Sequence, residues 1–104
     1  MSELKITRDN FESILKSEKP VLIDFYADWC GPCRMLASVI REVAEEADDV
    51  VVGKLNVDEE MELAEEFGVS TIPTLMVFKA GKPVKRSLGY IPKQQVLNLI
   101  RSEA

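Results

Sequence analysis

Two cysteines separated by two residues are the strongest candidates for chemistry in this sequence. Cys30 and Cys33 enclose Gly31 and Pro32, and the run PVLIDFYADWCGPC from Pro20 reads as a buried strand, a tight turn and a helix start. A sulfur at a helix start meets unpaired backbone N–H groups and the positive end of the helix dipole, which stabilise a thiolate by up to ~2 kcal/mol. We therefore expect a reactive dithiol with a lowered pKa at Cys30, the more exposed of the two sulfurs.

The residues between the cysteines suit this role. Pro32 has a fixed φ and no N–H donor, so it holds the turn without extending the helix backwards. Gly31 has no side chain that could block the approach of a substrate backbone.

Two other interpretations of the cysteine pair stay open at this point. Zinc or an iron–sulfur cluster needs about four ligands, and the chain has no further Cys and no His, so a metal would have to be shared between two chains. A structural disulfide that closes so short a loop would contribute only about 2 kcal/mol in the chain-entropy model. The absence of His also excludes Ser-His-Asp and Cys-His catalysis. We expect no metal site.

Asp24 is the second candidate, because it interrupts an otherwise apolar strand. A carboxylate inside a covered strand costs several kcal/mol unless it is paired or protonated. Desolvation should raise the pKa of Asp24, which could then accept a proton from Cys33 and return it through a water molecule. Lys54, in the apolar run of the next strand, is its expected partner; the alternative is a strand edge open to solvent.

The hydrophobic pattern indicates the elements that position these residues. A mixed sheet of four to five strands, flanked by four helices, forms one domain over residues 1–104. The predicted strands span 4–6, 21–27, 50–57, 74–79 and 83–88, and the predicted helices follow Thr7, span 33–47 and 59–67, and begin at Pro92.

The sequence also predicts the caps of two helices, the buried face of the second helix and the loop of the last hairpin. Thr7 is the expected N-cap of the first helix, which should run to Pro20, and Met35 should lie on the buried stripe of the second. Gly68 should cap the third helix. A three-residue connection, 80–82, should join the last two strands as an antiparallel hairpin.

Composition limits the remaining classes of function. The net charge of −5 disfavours nucleic acid and anionic membranes as partners. No apolar run exceeds four residues and MSELKITRDN has no apolar signal segment, so we expect a cytoplasmic protein without membrane contact.

The segment FYADWCGPCRM resembles the active site of the thioredoxin family. Further matches span almost the whole chain: Asp24, the KLNVD run from Lys54, Ile72-Pro73-Thr74, Gly81 and Gly89. The resemblance implies the thioredoxin fold and a dithiol–disulfide oxidoreductase that reduces protein disulfides. Cys30 would attack the substrate as a thiolate, and Cys33 would resolve the mixed disulfide. The pair Gly-Pro between the cysteines resembles that of reductants, whereas Gly-His would resemble that of oxidants or isomerases.

The same resemblance implies a docking groove and partners. Trp29 would form one wall, and Ile72-Pro73 would be a cis-proline loop facing the cysteines, with its backbone free to pair with an extended substrate. Further groove positions are Val57, Thr71, Leu88 and Gly89. The chain would be a monomer without a bound cofactor, receiving electrons from NADPH through thioredoxin reductase. The alternatives are a binding module with idle cysteines, a dedicated reductant of one partner and an oxidant in an exported compartment.

Three residues depart from the family pattern. Ser38 stands where a helix-kinking proline is usual, which predicts a straighter helix. Tyr26 replaces a Trp, and Tyr90 follows Gly89 where a small residue is common, so it could narrow the groove.

Overall fold

A five-stranded mixed sheet organises the chain. In the computed structural model, which describes residues 3–101, the strand order is β1-β3-β2-β4-β5. The strands β1 to β3 are parallel to one another, whereas β4 and β5 are antiparallel to their neighbours. The strands are β1 (Leu4–Lys5), β2 (Val21–Tyr26), β3 (Val51–Asn56), β4 (Thr74–Lys79) and β5 (Lys82–Leu88), and the helices are α1 (Phe11–Leu15), α2 (Gly31–Glu46), α3 (Met61–Glu66) and α4 (Lys93–Arg101).

Alternate residues of the central strands supply two separate cores, one on each face of the sheet. Leu22 and Leu75 pack with the apolar stripes of α2 and α4. Ile23 and Phe25 pack on the other face, with residues of α1 and α3. The predicted class, a mixed sheet flanked by four helices, is therefore confirmed. Asp24 lies between Ile23 and Phe25 in the strand, so its side chain belongs to the α2 face.

The first helix is shorter than predicted at both ends. Asn10, not Thr7, is its N-cap residue, and no side chain caps the first turn. The Asn10 side chain instead accepts a hydrogen bond from the Thr7 N–H, which precedes the helix, at 2.8 Å. The helix ends at Leu15 rather than at Pro20. The Ser17 hydroxyl accepts a hydrogen bond from the Lys19 N–H at 3.0 Å, and such local side-chain bonds compete with a continuing helix.

The second helix contains one wrong assignment. Met35 is 60% exposed, whereas Leu36 and Ile40 are completely buried. Met35 is one residue ahead of Leu36, which turns it about 100° away from the centre of the apolar stripe. The helix also begins at Gly31, two residues earlier than the predicted 33, so the redox turn leads directly into it.

Two turns depend on backbone with positive φ. Gly68 ends α3 at φ 73°, as predicted, with N–H bonds from Gly68 to Glu65 and from Val69 to Ala64 that form a Schellman motif. The hairpin is tighter than predicted, because Lys82 pairs with Lys79 and leaves only two residues in the loop. Ala80 and Gly81 both have positive φ, as a type I′ turn requires.

Candidate active site

The two cysteines lie where β2 gives way to α2. Cys30 is the N-cap residue of the helix, in an extended conformation, and Pro32 occupies its first turn. The Cys33 N–H donates a hydrogen bond to Cys30 Sγ at 3.2 Å. Because a proline stands between them, this N–H is among the first donors of the helix available to a ligand. The sequence-based expectation that the sulfurs lie at a helix start is confirmed.

Cys30 and Cys33 form a disulfide with a Cα–Cα distance of 5.2 Å. Cys30 is 6% exposed and Cys33 is 2% exposed, so the first sulfur is the more accessible, as expected. An external thiol would therefore reach Cys30 more easily than Cys33. Within residues 3–101, no group of three or more Cys, His, Asp or Glu residues is arranged to hold a metal ion.

A loop from a distant part of the chain faces the disulfide. Cys30 Sγ lies 4.0 Å from the Ile72 carbonyl oxygen, and Ile72 and Val57 pack against the two cysteines. The Ile72-Pro73 peptide bond is cis, as the resemblance implied. Since a disulfide sulfur carries no hydrogen, the Sγ–oxygen contact is van der Waals in the oxidised form.

Asp24 is buried on the α2 face, with 1% of its surface exposed. Neither carboxyl oxygen has a hydrogen-bond partner among the described residues. Burial raises the pKa of Asp24 from 3.8 to about 7, while the positive charge of Lys54 lowers that pKa and the negative charge of Glu3 raises it. The alternative of a solvent-open strand edge is therefore excluded, and Asp24 can exchange a proton near neutral pH.

Lys54 has a different neighbour from the one expected. It pairs with Asp24 in the parallel register of β2 and β3, but its ammonium group lies over the Tyr26 ring, 4.8 Å from the ring centre. A cation over an aromatic face keeps part of its stabilisation without a carboxylate. Lys54 thus acts on Asp24 through the electric field rather than through a direct ion pair.

A small cleft gives solvent access to this region. It has a volume of about 140 Å³, enough for several water molecules, and its walls include Cys33, Arg34 and Lys54. Asp24 is not among the lining residues, so the expected water bridge from Asp24 to Cys33 stays a prediction.

Trp29 stands out from the surface next to the cysteines, with 69% of its side chain exposed. Its indole Nε1–H donates a hydrogen bond to the Asp58 carboxylate at 2.8 Å. Sequence reasoning missed Asp58 as a site residue, although it ends the KLNVD run that carried the resemblance. This hydrogen bond joins the redox turn to the segment between β3 and α3.

The other groove positions gather around the cis-proline loop. Leu88 is 58% exposed, Thr71 is exposed, and Val57 is half-buried. The Gly89 N–H is already used, because it donates to the Pro73 carbonyl at 2.8 Å. The Ile72 N–H, in contrast, makes no backbone hydrogen bond within residues 3–101. The Ile72 N–H is therefore a free backbone group of the cis-proline loop, of the kind expected there.

All three departures from the family pattern have a visible structural context, and that of Tyr26 is the Lys54 ammonium group over its ring. The Ser38 hydroxyl donates to the Met35 carbonyl at 3.2 Å, and α2 continues unbroken past it. Tyr90 is 41% exposed beside Gly89. The straighter helix and the narrower groove stay predictions.

The fold and the site together define a class of protein. A disulfide at the first turn of a helix, packed against a cis-proline loop on a five-stranded mixed sheet, is the arrangement of a thiol–disulfide oxidoreductase. The chain belongs to the thioredoxin family, since the family model described as Thioredoxin matches residues 2–102. Members of this family act as protein disulfide oxidoreductases.

Individual relatives agree with this assignment. The chain is 53% identical over 94 residues to a thioredoxin of Alicyclobacillus acidocaldarius, covering 89% of this chain and 90% of the relative. It is 46% identical over 99 residues to a thioredoxin of Chlamydia pneumoniae, covering 95% and 96%. A solved structure of a mutant thioredoxin from Halobacterium salinarum matches with a TM-score of 0.90 at 37% identity, covering 95% of this chain and 88% of that one.

Proposed function

We propose that this chain reduces disulfide bonds of other proteins, with Cys30 as the nucleophile and Cys33 as the resolving thiol. The observation that carries the proposal is the hydrogen bond from the Cys33 N–H to Cys30 Sγ at the start of α2. The same donor would stabilise a thiolate on Cys30 in the reduced protein, where the charge is greater than in the disulfide.

The reaction takes two exchange steps. In the first, the Cys30 thiolate attacks one sulfur of the substrate disulfide, and the other substrate sulfur leaves as a thiolate and takes up a proton. In the second, Cys33 loses its proton and attacks Cys30 Sγ, which releases the second substrate thiolate and forms the disulfide seen here. Two electrons pass from the two cysteines to the substrate. The two substrate thiolates take up two protons, one released by Cys33 and one from solvent, because Cys30 reacts as a thiolate.

Asp24 is the proposed base for the second step. Its pKa of about 7 suits a group that must take a proton from a thiol near neutral pH and give it back later. The cleft lined by Cys33 and Lys54 is large enough to admit water near this site. Lys54 is the proposed electrostatic partner, because it keeps part of the Asp24 population ionised.

The groove beside the disulfide would bind the substrate chain. The unused N–H of Ile72 can pair with an extended substrate backbone. Exposed apolar side chains, Trp29 and Leu88, can contact its side chains without demanding one sequence. Val57, Thr71, Pro73 and Gly89 complete the proposed binding surface.

A reductant that turns over must itself be reduced. We propose that a thioredoxin reductase returns two electrons from NADPH to Cys30 and Cys33, and that the protein works as a monomer in the cytoplasm. Support comes from the family assignment and from Gly31-Pro32 between the cysteines. No described helix is both long and apolar enough to cross a bilayer.

Single-cysteine variants test the order of attack. Turnover of a protein disulfide such as insulin would be measured for wild type, Cys30→Ser and Cys33→Ser with dithiothreitol as the electron source. For trapping, each protein would be reduced, freed of dithiothreitol and then mixed with insulin. We expect Cys30→Ser to be inert and Cys33→Ser to accumulate a mixed disulfide that mass spectrometry locates at Cys30. A mixed disulfide at Cys33 in the Cys30→Ser variant, with none in the other, would overturn the assignment.

A further inference from the structure

A second acidic side chain, at the N-terminal edge of the sheet, has no part in the chemistry described above. The Glu3 Oε2 atom is buried and has no hydrogen-bond partner among the described residues, a property it shares with both carboxyl oxygens of Asp24. Buried carboxyl oxygens without partners are costly, so their presence calls for a functional explanation. These are the buried, unpartnered side-chain oxygens of the described chain.

The sheet register places Glu3 and Asp24 on the same face. Lys5 pairs with Lys54, and Lys54 pairs with Asp24, so these three side chains lie in one row. Glu3 immediately precedes β1, and continuing the alternation of the strand by one residue puts its side chain on the α2 face with Asp24. Two strand spacings across and two residues along give a Cα separation of about 12 Å.

We propose that Glu3 is a positioning residue for the redox reaction, whose negative charge makes Asp24 a stronger base toward Cys33. This rests on the proposed function of Asp24 as the base for the resolving step. Glu3 precedes the edge strand β1, which is separated from β2 by β3, so it would act on the reaction only through the electric field at Asp24.

Two charged residues, Glu3 and Lys54, dominate the electric field at Asp24. Glu3 raises the pKa of Asp24 and Lys54 lowers it, so the two oppose each other. On β4, Asp24 faces the neutral Leu75. On the α2 side, the ionisable groups around the adjoining cleft are Tyr26, Asp28, Arg34 and Lys54, since Cys33 is held in the disulfide.

Lys5 is the remaining charge in the row. Its ammonium group lies 3.3 Å from a carboxyl oxygen of Glu59 at the surface, where both side chains are more than half exposed. Solvent screening and the Glu59 charge weaken its effect on Asp24. Glu3 is therefore the charge on the β1 side that can act on Asp24.

Replacing Glu3 with Gln removes the charge and keeps the shape. The Asp24 carboxyl would be titrated by ¹³C NMR in oxidised wild type, Glu3→Gln and Glu12→Gln. Glu12 is a matched control, because it changes the net charge equally from an exposed position on α1, across the sheet. We expect Glu3→Gln to lower the Asp24 titration midpoint by ~0.5 pH unit, and Glu12→Gln to leave it in place. An unchanged midpoint in Glu3→Gln, or equal shifts in both variants, would overturn the proposal.

A kinetic readout separates this proposal from the role of Asp24 itself. The acidic limb of the pH–rate profile for reduction of insulin disulfides should move down with the NMR midpoint in Glu3→Gln. The same substitution should have no effect on that limb in an Asp24→Asn background. A shifted NMR midpoint with an unchanged rate profile would confirm that Glu3 acts electrostatically on Asp24. It would also refute Asp24 as the base, and with it the proposed effect of Glu3 on disulfide exchange.

Discussion

Asp24 and Lys54 lie directly opposite each other on β2 and β3, yet the carboxylate of Asp24 makes no hydrogen bond to Lys54. The ammonium group of Lys54 lies instead over the Tyr26 ring. A close ion pair would hold Asp24 ionised at all physiological pH values and remove its use as a base. The looser arrangement leaves the pKa of Asp24 at about 7, where both protonation states are populated.

Stability should depend on pH through Asp24. The folded protein binds this proton more tightly than the unfolded chain, because the pKa rises from 3.8 to about 7 on folding. Unfolding therefore releases the proton between these values, and stability falls as pH rises through this range. The loss reaches an upper bound of about 4 kcal/mol above pH 7.

Replacing Asp24 with Asn should remove this cost. Urea unfolding at several pH values should show Asp24→Asn to be more stable than wild type above about pH 7, with the difference vanishing below about pH 4. The same variant should reduce protein disulfides more slowly. Equal stabilities at pH 8 would refute the buried, ionised carboxylate, and unchanged exchange rates would refute its role as base.

Removing the charge of Lys54 should shift the pKa of Asp24 upwards, opposite to the shift expected for Glu3→Gln. Lys54 lowers the pKa of Asp24, so Lys54→Met should raise the Asp24 titration midpoint above that of the wild type. The measurement is the NMR titration of the Asp24 carboxyl, with Lys16→Met, an exposed substitution next to α1, as the control. A midpoint that stays in place, or moves down, would show that Lys54 has no electrostatic access to Asp24.

The exposed indole of Trp29 should affect the reduction of protein disulfides but not that of small disulfides. Trp29→Phe removes the hydrogen bond to Asp58 and part of the exposed apolar surface. We expect kcat/KM for a protein disulfide to fall by about fivefold, equivalent to ~1 kcal/mol, a usual cost at a contact residue. Reduction of a small disulfide such as oxidised glutathione should be unaffected, and stability should change by less than ~1 kcal/mol, because the bond is exposed.

An Asp58→Ala variant separates the effect of the exposed indole surface from that of the hydrogen bond between Trp29 and Asp58. It keeps the indole and removes only the hydrogen-bond acceptor. A loss of kcat/KM between those of wild type and Trp29→Phe would show that the bond orients Trp29. Equal losses for protein and small disulfides in Trp29→Phe would contradict a docking role.

Gly53 lies where the backbone of β3 closely approaches β1. A Cβ atom added there would lie 2.5 Å from Ile6 Cδ1 and 2.7 Å from Ile6 Cγ1, and Ile6 is buried and β-branched. Gly53→Ala should therefore destabilise the fold by about 1–3 kcal/mol in urea unfolding. Gly31→Ala is the control, because its Cβ would meet nothing within 4 Å. The Gly53→Ala penalty should shrink in an Ile6→Ala background; an undiminished penalty would show that the clash is not its cause.

The parts of the site that follow from local sequence could be predicted. The helix start at Cys30 and the exposed Trp29 depend on a run of adjacent residues, and the burial of Asp24 depends on the apolar residues around it in one strand. The parallel pairing of β2 with β3 follows from the helix between them. These are short-range relationships, in which each local preference agrees with the fold.

What the sequence could not supply are the choices of flexible side chains and of distant partners. Lys54 has a long stem that reaches either Asp24 or the Tyr26 ring from the same backbone position. The hydrogen bond between Trp29 and Asp58 joins residues 29 positions apart, and nothing in the spacing of either residue predicts it. The early end of α1 coincides with hydrogen bonds from the Lys16 and Ser17 N–H groups three residues back and with the bond from the Lys19 N–H to the Ser17 hydroxyl.

The charge state of Cys30 is the central claim of this account. The thiol of reduced Cys33→Ser, in which Cys30 is the single cysteine, can be titrated by the ultraviolet absorbance of its thiolate. Donation from the residue 33 N–H at the start of α2 predicts a midpoint at least one pH unit below the ordinary value of about 8.5. A midpoint at or above about 8.5 would contradict the account.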